Sequence, residues 1–253
     1  MKLTFLGTGT SQGIPVIACD CEVCKSVDFQ DQRLRSSVLF EIDKTNILID
    51  TGPDFRQQML NHRVKHLDAV LYTHEHKDHT AGLDDIRSFN FRQKIDMQLY
   101  GRSSVLEQLK KEYAYMFDEY KYPGVASVVL NLIENKPFRI NDIEIIPIEV
   151  MHYKLPVFGF RIADMAYITD AKTVSDEEQK KLKNLDVLVV NALQKKNHIS
   201  HFNLDEALAF IDTIKPKRAY LTHIGHYLGL SREIEANLPH NVHLAYDGLI
   251  LED

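Results

Sequence analysis

Five hydrophobic runs in this chain end on a residue that can hold a metal ion, and this recurrence constrains the fold more than any other feature. Asn46-Ile47-Leu48-Ile49 leads to Asp50, and Ala69-Val70-Leu71-Tyr72-Thr73 leads to His74. Ala166-Tyr167-Ile168-Thr169 leads to Asp170, and Ala219-Tyr220-Leu221-Thr222 leads to His223. The run 145–150 continues through Met151 to His152. Short apolar runs rich in β-branched and aromatic residues read as buried strands. Rigid strands aim the side chains at their ends into a common crevice. One histidine at a strand end is ordinarily structural, but five ends carrying only His or Asp point to an assembled site.

The densest cluster is Thr73-His74-Glu75-His76-Lys77-Asp78-His79. In an extended segment residues i and i+2 point the same way, so His74 and His76 can share one ion. Asp78 and His79 are adjacent and, in a turn, can present ligands to a second ion. Imidazole with carboxylate suits zinc, manganese or iron.

Further strands are expected at 3–6, 37–42, 46–50, 69–73, 97–100, 143–150, 158–162, 165–169, 186–190, 218–222 and 243–246, with turn residues between them. The runs at 36–43 and 46–50 read as a hairpin closed by Lys44-Thr45. Helical periodicity is clearest at 104–116, 175–182 and 204–214. Ser175 precedes an acidic first turn, and Asn203 is placed to cap Leu204-Asp205-Glu206. Strands cluster with helices between them rather than alternating strictly, which suggests layered sheets with helices outside. Neither a repeat nor a long polar linker divides the chain, so 1–253 is expected to be one domain.

Charge narrows the class. Thirty Lys and Arg against 36 Asp and Glu leave −6 at neutral pH, which argues against a general nucleic-acid binder. A small anionic substrate is still allowed, because a local site can be positive on an acidic protein. No apolar run approaches the roughly 20 residues of a bilayer span, so no membrane partner is expected. Met1–Gly7 lacks the apolar core of a signal peptide, and the cytoplasm is the expected location.

The three cysteines form Cys19-Asp20-Cys21-Glu22-Val23-Cys24. Three soft ligands in one tight loop suit a structural zinc, which wants a fourth donor. His226, three residues after His223, is the candidate; water or another histidine is the alternative. Arg33 and Arg35, in Arg33-Leu34-Arg35-Ser36-Ser37, could hold a phosphate or support a sheet. The aromatic stretch 104–122 is compatible with a lid, a homodimer face or ordinary core.

His-x-His-x-Asp-His after a hydrophobic strand resembles the signature of the metallo-β-lactamase superfamily. The resemblance extends to Leu6-Gly7-Thr8-Gly9-Thr10, Ile49-Asp50-Thr51-Gly52, His152, Asp170, His223 and Ala245-Tyr246-Asp247-Gly248. It implies an α/β fold, a four-layer αββα sandwich, with a dinuclear centre of two divalent ions, zinc or manganese. By position, His74, His76 and His152 would bind one ion, Asp78, His79 and His223 the other, and Asp170 both. Asp50 would orient a ligand imidazole through its ring N–H. Redox di-iron relatives carry Glu where this chain has His76, which favours hydrolysis by a metal-bridging hydroxide.

Within the superfamily the chain is similar to the phosphoribosyl 1,2-cyclic phosphate phosphodiesterase branch. It shares the Gly7-Thr8-Gly9-Thr10-Ser11-Gln12-Gly13 opening, the three-cysteine loop, the Arg-rich stretch and the spaced final histidines. The superfamily's phosphodiesterases, the tRNA 3′-end endonuclease among them, imply a histidine that faces the scissile phosphate as general acid or charge stabiliser without binding metal. His201 matches best in His198-Ile199-Ser200-His201, with His198 as the fallback. The expected function is hydrolysis of a small cyclic phosphate or phosphodiester. An acyl hydrolase of thioesters or lactones uses the same ligands, and an RNase Z-like nuclease is disfavoured by charge and by the lack of a Gly/Pro-rich arm. A metal-binding module without turnover is the remaining class.

Overall fold

The computed structural model describes residues 1–120 and 122–252. The chain is mixed α/β with two sheets and helices. It forms two compact units. The first comprises Met1–Gly7, Ser37–Glu134 and Gly248–Asp253, and the second Thr8–Ser36 and Asn135–Asp247.

The first unit holds a seven-stranded sheet. Its order is Ile250–Glu252, Lys2–Gly7, Ser37–Ile42, Thr45–Ile49, Ala69–Leu71, Met97–Gly101 and Val128–Leu132. From Thr45–Ile49 onward the neighbours are parallel, with Ile49 opposite Leu71 and Leu71 opposite Tyr100. Residues Asp50 and His74 therefore follow strands that end on the same edge. Leu48, Val70 and Leu99 pack on Phe55, Met59, Phe89, Val105 and Leu109, which belong to the helices Phe55–Asn61, Arg87–Gln93 and Ser103–Glu112. The alternate residues Ile47, Ile49 and Leu71 are also fully buried. Strands buried on both faces give continuous apolar runs, which is why they were visible in the sequence.

The second unit holds an eight-stranded sheet. Its main path runs Thr173–Val174, Ile143–His152, Leu155–Ile162, Met165–Ile168, Val187–Asn191, Arg218–Thr222 and Val242–Leu244, and Phe138–Ile140 pairs with Ile143–His152. Met165–Ile168, Val187–Asn191, Arg218–Thr222 and Val242–Leu244 are mutually parallel. Leu155–Ile162 is antiparallel both to Ile143–His152 and to Met165–Ile168, so those two run the same way. His152, Asp170 and His223 thus leave the sheet on one edge. The helix Leu204–Ile214 covers the sheet with Ala207, Phe210 and Ile211. A reciprocal cap starts it: Asn203 Oδ1 accepts from the Glu206 N–H at 2.8 Å, and Glu206 Oε2 accepts from the Asn203 N–H at 2.9 Å.

The expected hairpin forms, but Thr45 pairs with Ile42, so Asp43 and Lys44 make the turn. Asp43 takes the left-handed conformation (φ 53°) that such a short loop needs. The expected helix at 104–116 ends as an α-helix at Glu112, and Ala114–Met116 is a 3-10 turn. There Met116 is buried and Tyr115 exposed. Among the described residues no helix is long and apolar enough to cross a membrane.

Candidate metal centres

In the first unit, Asp50 is the hub. It follows Thr45–Ile49 with φ 65°, a left-handed turn that swings its side chain out of the strand's alternation. Its carboxylate accepts from the Thr73 N–H at 2.9 Å, the Thr73 hydroxyl at 2.8 Å and His79 Nδ1 at 2.7 Å. Burial raises its pKa, and the His79 ring and the Thr73 donors oppose that rise. His79 stands with Asp78 on the single helical turn Lys77–Thr80. The Thr51 N–H donates to the His79 carbonyl at 2.8 Å, and the Gly82 N–H to the Thr51 carbonyl at 2.8 Å. A Cβ at Gly82 would lie 2.2 Å from the Gly52 carbonyl, so only glycine permits this approach.

The His74 ring lies 4.5 Å from His76 and 4.3 Å from His79 between centroids. His74 and His79 are fully buried, while His76 is exposed. With Nδ1–H committed to Asp50, His79 Nε2 presents a lone pair, and Asp78 Oδ2 lies 3.1 Å from it. A lone pair facing a carboxylate oxygen suits a cation.

In the second unit, His152, His201 and His223 surround Asp170. His152 Nδ1 lies 2.9 Å from the Ser200 carbonyl. A carbonyl only accepts, so Nδ1 carries the proton and Nε2 is left as the ligand atom. Asp170 Oδ1 is 3.1 Å from His201 Nε2, and Oδ2 accepts from the Thr169 hydroxyl at 2.6 Å and lies 3.4 Å from His223 Nδ1. The Thr10 hydroxyl lies 3.1 Å from His223 Nε2. Asp170 and His223 share the left-handed backbone, at φ 58° and 53°. Non-glycine residues held there cost about 1–3 kcal/mol each, a strain that collects at functional sites.

His201 is the histidine on Asp170; His198 stands behind it, with the two Nδ1 atoms 3.1 Å apart. The Phe202 N–H donates to the Ala171 carbonyl at 2.7 Å and fixes this loop. Donor atoms of His152, Asp170 and His201 lie within 4.8 Å of one another, so His201 also has the geometry of a ligand.

The second unit also brings Cys19, Cys21, Cys24 and His226 together. The three sulfurs lie 3.3, 3.4 and 3.5 Å from His226 Nδ1. Tetrahedral zinc with bonds of about 2.0–2.3 Å places its ligand atoms roughly 3.3–3.8 Å apart, so the donor set fits. The Cys24 N–H holds the Cys21 thiol below its ordinary pKa, and burial pushes the Cys24 thiol up.

The two arginines separate. Arg33 is 3% exposed and donates to the Thr8 hydroxyl at 2.7 Å, the Ser231 hydroxyl at 3.0 Å and the Ala245 carbonyl. It serves the fold. Arg35 is half-buried and donates from Nε to the Ser11 carbonyl at 3.2 Å.

Thr73, Thr169, Ser200 and Asn191 also serve these sites, though their residue types do not mark them as functional. The buried Asn191 side chain accepts from the Ala171 N–H at 2.7 Å and donates to the Ala171 carbonyl at 3.0 Å, clamping the residue after Asp170. A signal existed for the threonines. Thr73-His74, Thr169-Asp170 and Thr222-His223 each place threonine immediately before the strand-end ligand type.

The model of the beta-lactamase superfamily domain matches residues 45–224, which contain all of these strand ends. The chain belongs to the beta-lactamase superfamily. Superfamily membership agrees with the two-sheet fold and with His/Asp groups that could hold divalent metal. A crystal structure of a new diphosphatase from the PhnP family superposes with TM-score 0.94 at 38% identity, covering 100% of this chain and 97% of that one. The short form of human tRNase Z shares the fold at TM-score 0.72 and 20% identity, covering 100% of this chain and 99% of that one. The octanoyltransferase of Porphyromonas gingivalis (strain ATCC BAA-308 / W83) is 39% identical over 98% of this chain, which is 51% of that protein. Coenzyme PQQ synthesis protein B of Methylobacterium radiotolerans is 28% identical over 43% of this chain and 40% of that protein. The chain thus spans about half or less of these two curated relatives.

Proposed function

We propose that this superfamily member is a metal-dependent phosphodiesterase of a small phosphorylated substrate, a cyclic phosphate or open phosphodiester. The likeness to the PhnP-family diphosphatase over the whole chain carries the reading. The anchored imidazoles support it: His79 and His152 each commit Nδ1 to an oxygen acceptor and keep Nε2 for a cation.

In this reading the ligands to two divalent ions, zinc or manganese, are His74, His76, Asp78 and His79 of the first unit and His152, Asp170 and His223 of the second. Divalent ions in such a donor set polarise phosphoryl oxygens and lower the pKa of water. Asp50 orients His79, and the Ser200 carbonyl orients His152. His201 stabilises phosphoryl charge and gives a proton to the leaving alkoxide from Nε2. Cys19, Cys21, Cys24 and His226 hold a structural zinc. Nucleic acid is not the substrate in this reading, given the net charge of −6.

A second reading is acyl hydrolysis, favoured by the octanoyltransferase relative. Only 51% of that protein is matched, and its name describes the whole of it. The test is a panel of bis-p-nitrophenyl phosphate, ribose 1,2-cyclic phosphate, thioesters and lactones, with metal-analysed protein and zinc or manganese added back. Phosphodiester turnover that disappears in Asp78→Ala supports the first reading. Thioester or lactone turnover alone supports the second. Full metal occupancy without turnover on any member returns the chain to a binding role.

A further inference from the structure

Away from the metal-ligating residues, the first unit contains a cavity of about 340 Å³ between the helices Phe55–Asn61 and Arg87–Gln93. Phe55, Met59 and Phe89 contribute its apolar floor, and each is at least nine-tenths buried. The residues follow helical spacing. Phe55 and Met59 are one turn apart facing the cavity, and Arg56 and Leu60 repeat the step at its rim.

The mouth is cationic on a protein of net charge −6. Arg56, Lys65 and Arg92 line it and are exposed, against one acid, Asp85. Among the described residues none of these three cations is paired with a carboxylate. Elsewhere on this protein exposed lysines find acids readily, as Lys180 does with Glu177 and Lys217 with Asp186. A smaller cavity shares Val64 and Lys65 and adds Arg63, while its Lys2 is paired with Glu41 and burial lowers the pKa of its His62, so Arg63 is the charge that extends the positive surface.

We propose that this cavity is a binding site for a small amphipathic anion, with an apolar body on the Phe55, Met59 and Phe89 floor and an acidic head at Arg56, Lys65 and Arg92. Two features select this class. An apolar floor disfavours inorganic phosphate or a sugar phosphate, whose polar groups would be left unpaired. Unpaired cations at the rim disfavour a neutral hydrocarbon and attract an anion through a field that salt screens. The volume falls in the roughly 300–1,000 Å³ range of small-molecule sites. The site stands apart from the hydrolytic reading and does not need it.

The experiment is calorimetric titration of the metal-loaded full chain with decanoate and with 1-naphthalenesulfonate, which separate an aliphatic from an aromatic body. At least one probe binds, more weakly at high salt. The charge-reversal double variant Arg56→Glu/Arg92→Glu weakens it by about tenfold or more, or about 1.4 kcal/mol. Ser88→Trp, at an exposed lining position, blocks the cavity sterically and abolishes binding. Neither variant touches a metal-ligating residue, so metal content and any hydrolysis of bis-p-nitrophenyl phosphate are unchanged. Absence of heat with both probes, or binding that neither variant weakens, overturns the proposal.

Discussion

Asp50 Oδ2 and His79 Nδ1 lie 2.7 Å apart with both side chains fully buried, twenty-nine positions apart in sequence. The contact fixes which ring nitrogen of His79 carries a proton and therefore which one is left to face a cation. Asp50→Ala should lower metal affinity about 10–100-fold, the usual cost of losing a group that orients a ligand imidazole. Metal titration of the apo-protein, read alongside turnover, checks this. Unchanged affinity would make Asp50 a residue of the fold alone.

His201 sits on Asp170 at 3.1 Å, close enough to be a proton donor or a ligand. In the proposed mechanism His201→Ala keeps both divalent ions and lowers kcat by about 10²–10⁴, the usual range for a general acid. Metal analysis of the purified variant decides between the roles. Loss of one equivalent of metal would assign His201 to the ligand set.

The Cys19, Cys21, Cys24 and His226 cluster predicts a stability linked to zinc. Cys21→Ser should remove one zinc per chain. Where free zinc exceeds its dissociation constant 1,000-fold, bound zinc adds about 4 kcal/mol, and the variant loses it. Thermal melts of both proteins at matched free zinc give the comparison. Equal melting temperatures would mean that the cluster does not bind zinc in the folded chain.

Asp247 predicts a pH dependence. Its carboxylate accepts from the Thr8 hydroxyl at 2.7 Å and the Leu34 N–H at 2.6 Å, beside the buried Arg33. Burial pushes its pKa up from 3.8 to about 6, against these donors and Arg33. A carboxyl whose pKa is higher folded than unfolded favours the folded state most below the lower value. That advantage is lost as pH rises through the higher one. The difference is worth about 3 kcal/mol for full burial, and ~2 kcal/mol with the partial exposure of this side chain. Relative to Asp247→Asn, the native chain should therefore lose stability between about pH 4 and pH 6 and then level off. Urea unfolding of both proteins across that range tests the slope. A constant difference would remove Asp247 as its source.

The buried strands were legible because their apolar runs are continuous. Ser37–Ile42 and Arg218–Thr222 match their expected bounds, as does the helix Leu204–Ile214 with its Asn203 cap. The strands Val128–Leu132, Thr173–Val174 and Ile250–Glu252 are not evident in the sequence. Thr173–Val174 and Ile250–Glu252 have two and three residues, and Val128–Leu132, though apolar in sequence, has no fully buried residue and no regular alternation to mark it as a strand. The helices Phe55–Asn61 and Arg87–Gln93 have seven residues each, too few for a sustained period, and neither has a side-chain cap bond, although Asp54 stands at the N-cap of the first.

Residue chemistry and order in the sequence determined that His74, Asp170 and His223 closely follow strands, that the cysteines cluster and that the chain is of this superfamily. These are local facts, set by apolar runs and by side-chain types a few positions apart. Only the tertiary structure decided that Arg33 is buried support, that His201 rather than His198 meets Asp170, and that His226 meets all three cysteines. It alone also decided which nitrogen of His79 and of His152 is committed to an oxygen. Each of these depends on a partner dozens to hundreds of positions away. Parallel strand register and left-handed turns at the sheet edge bring those partners within hydrogen-bond reach, and no local pattern encodes that distance.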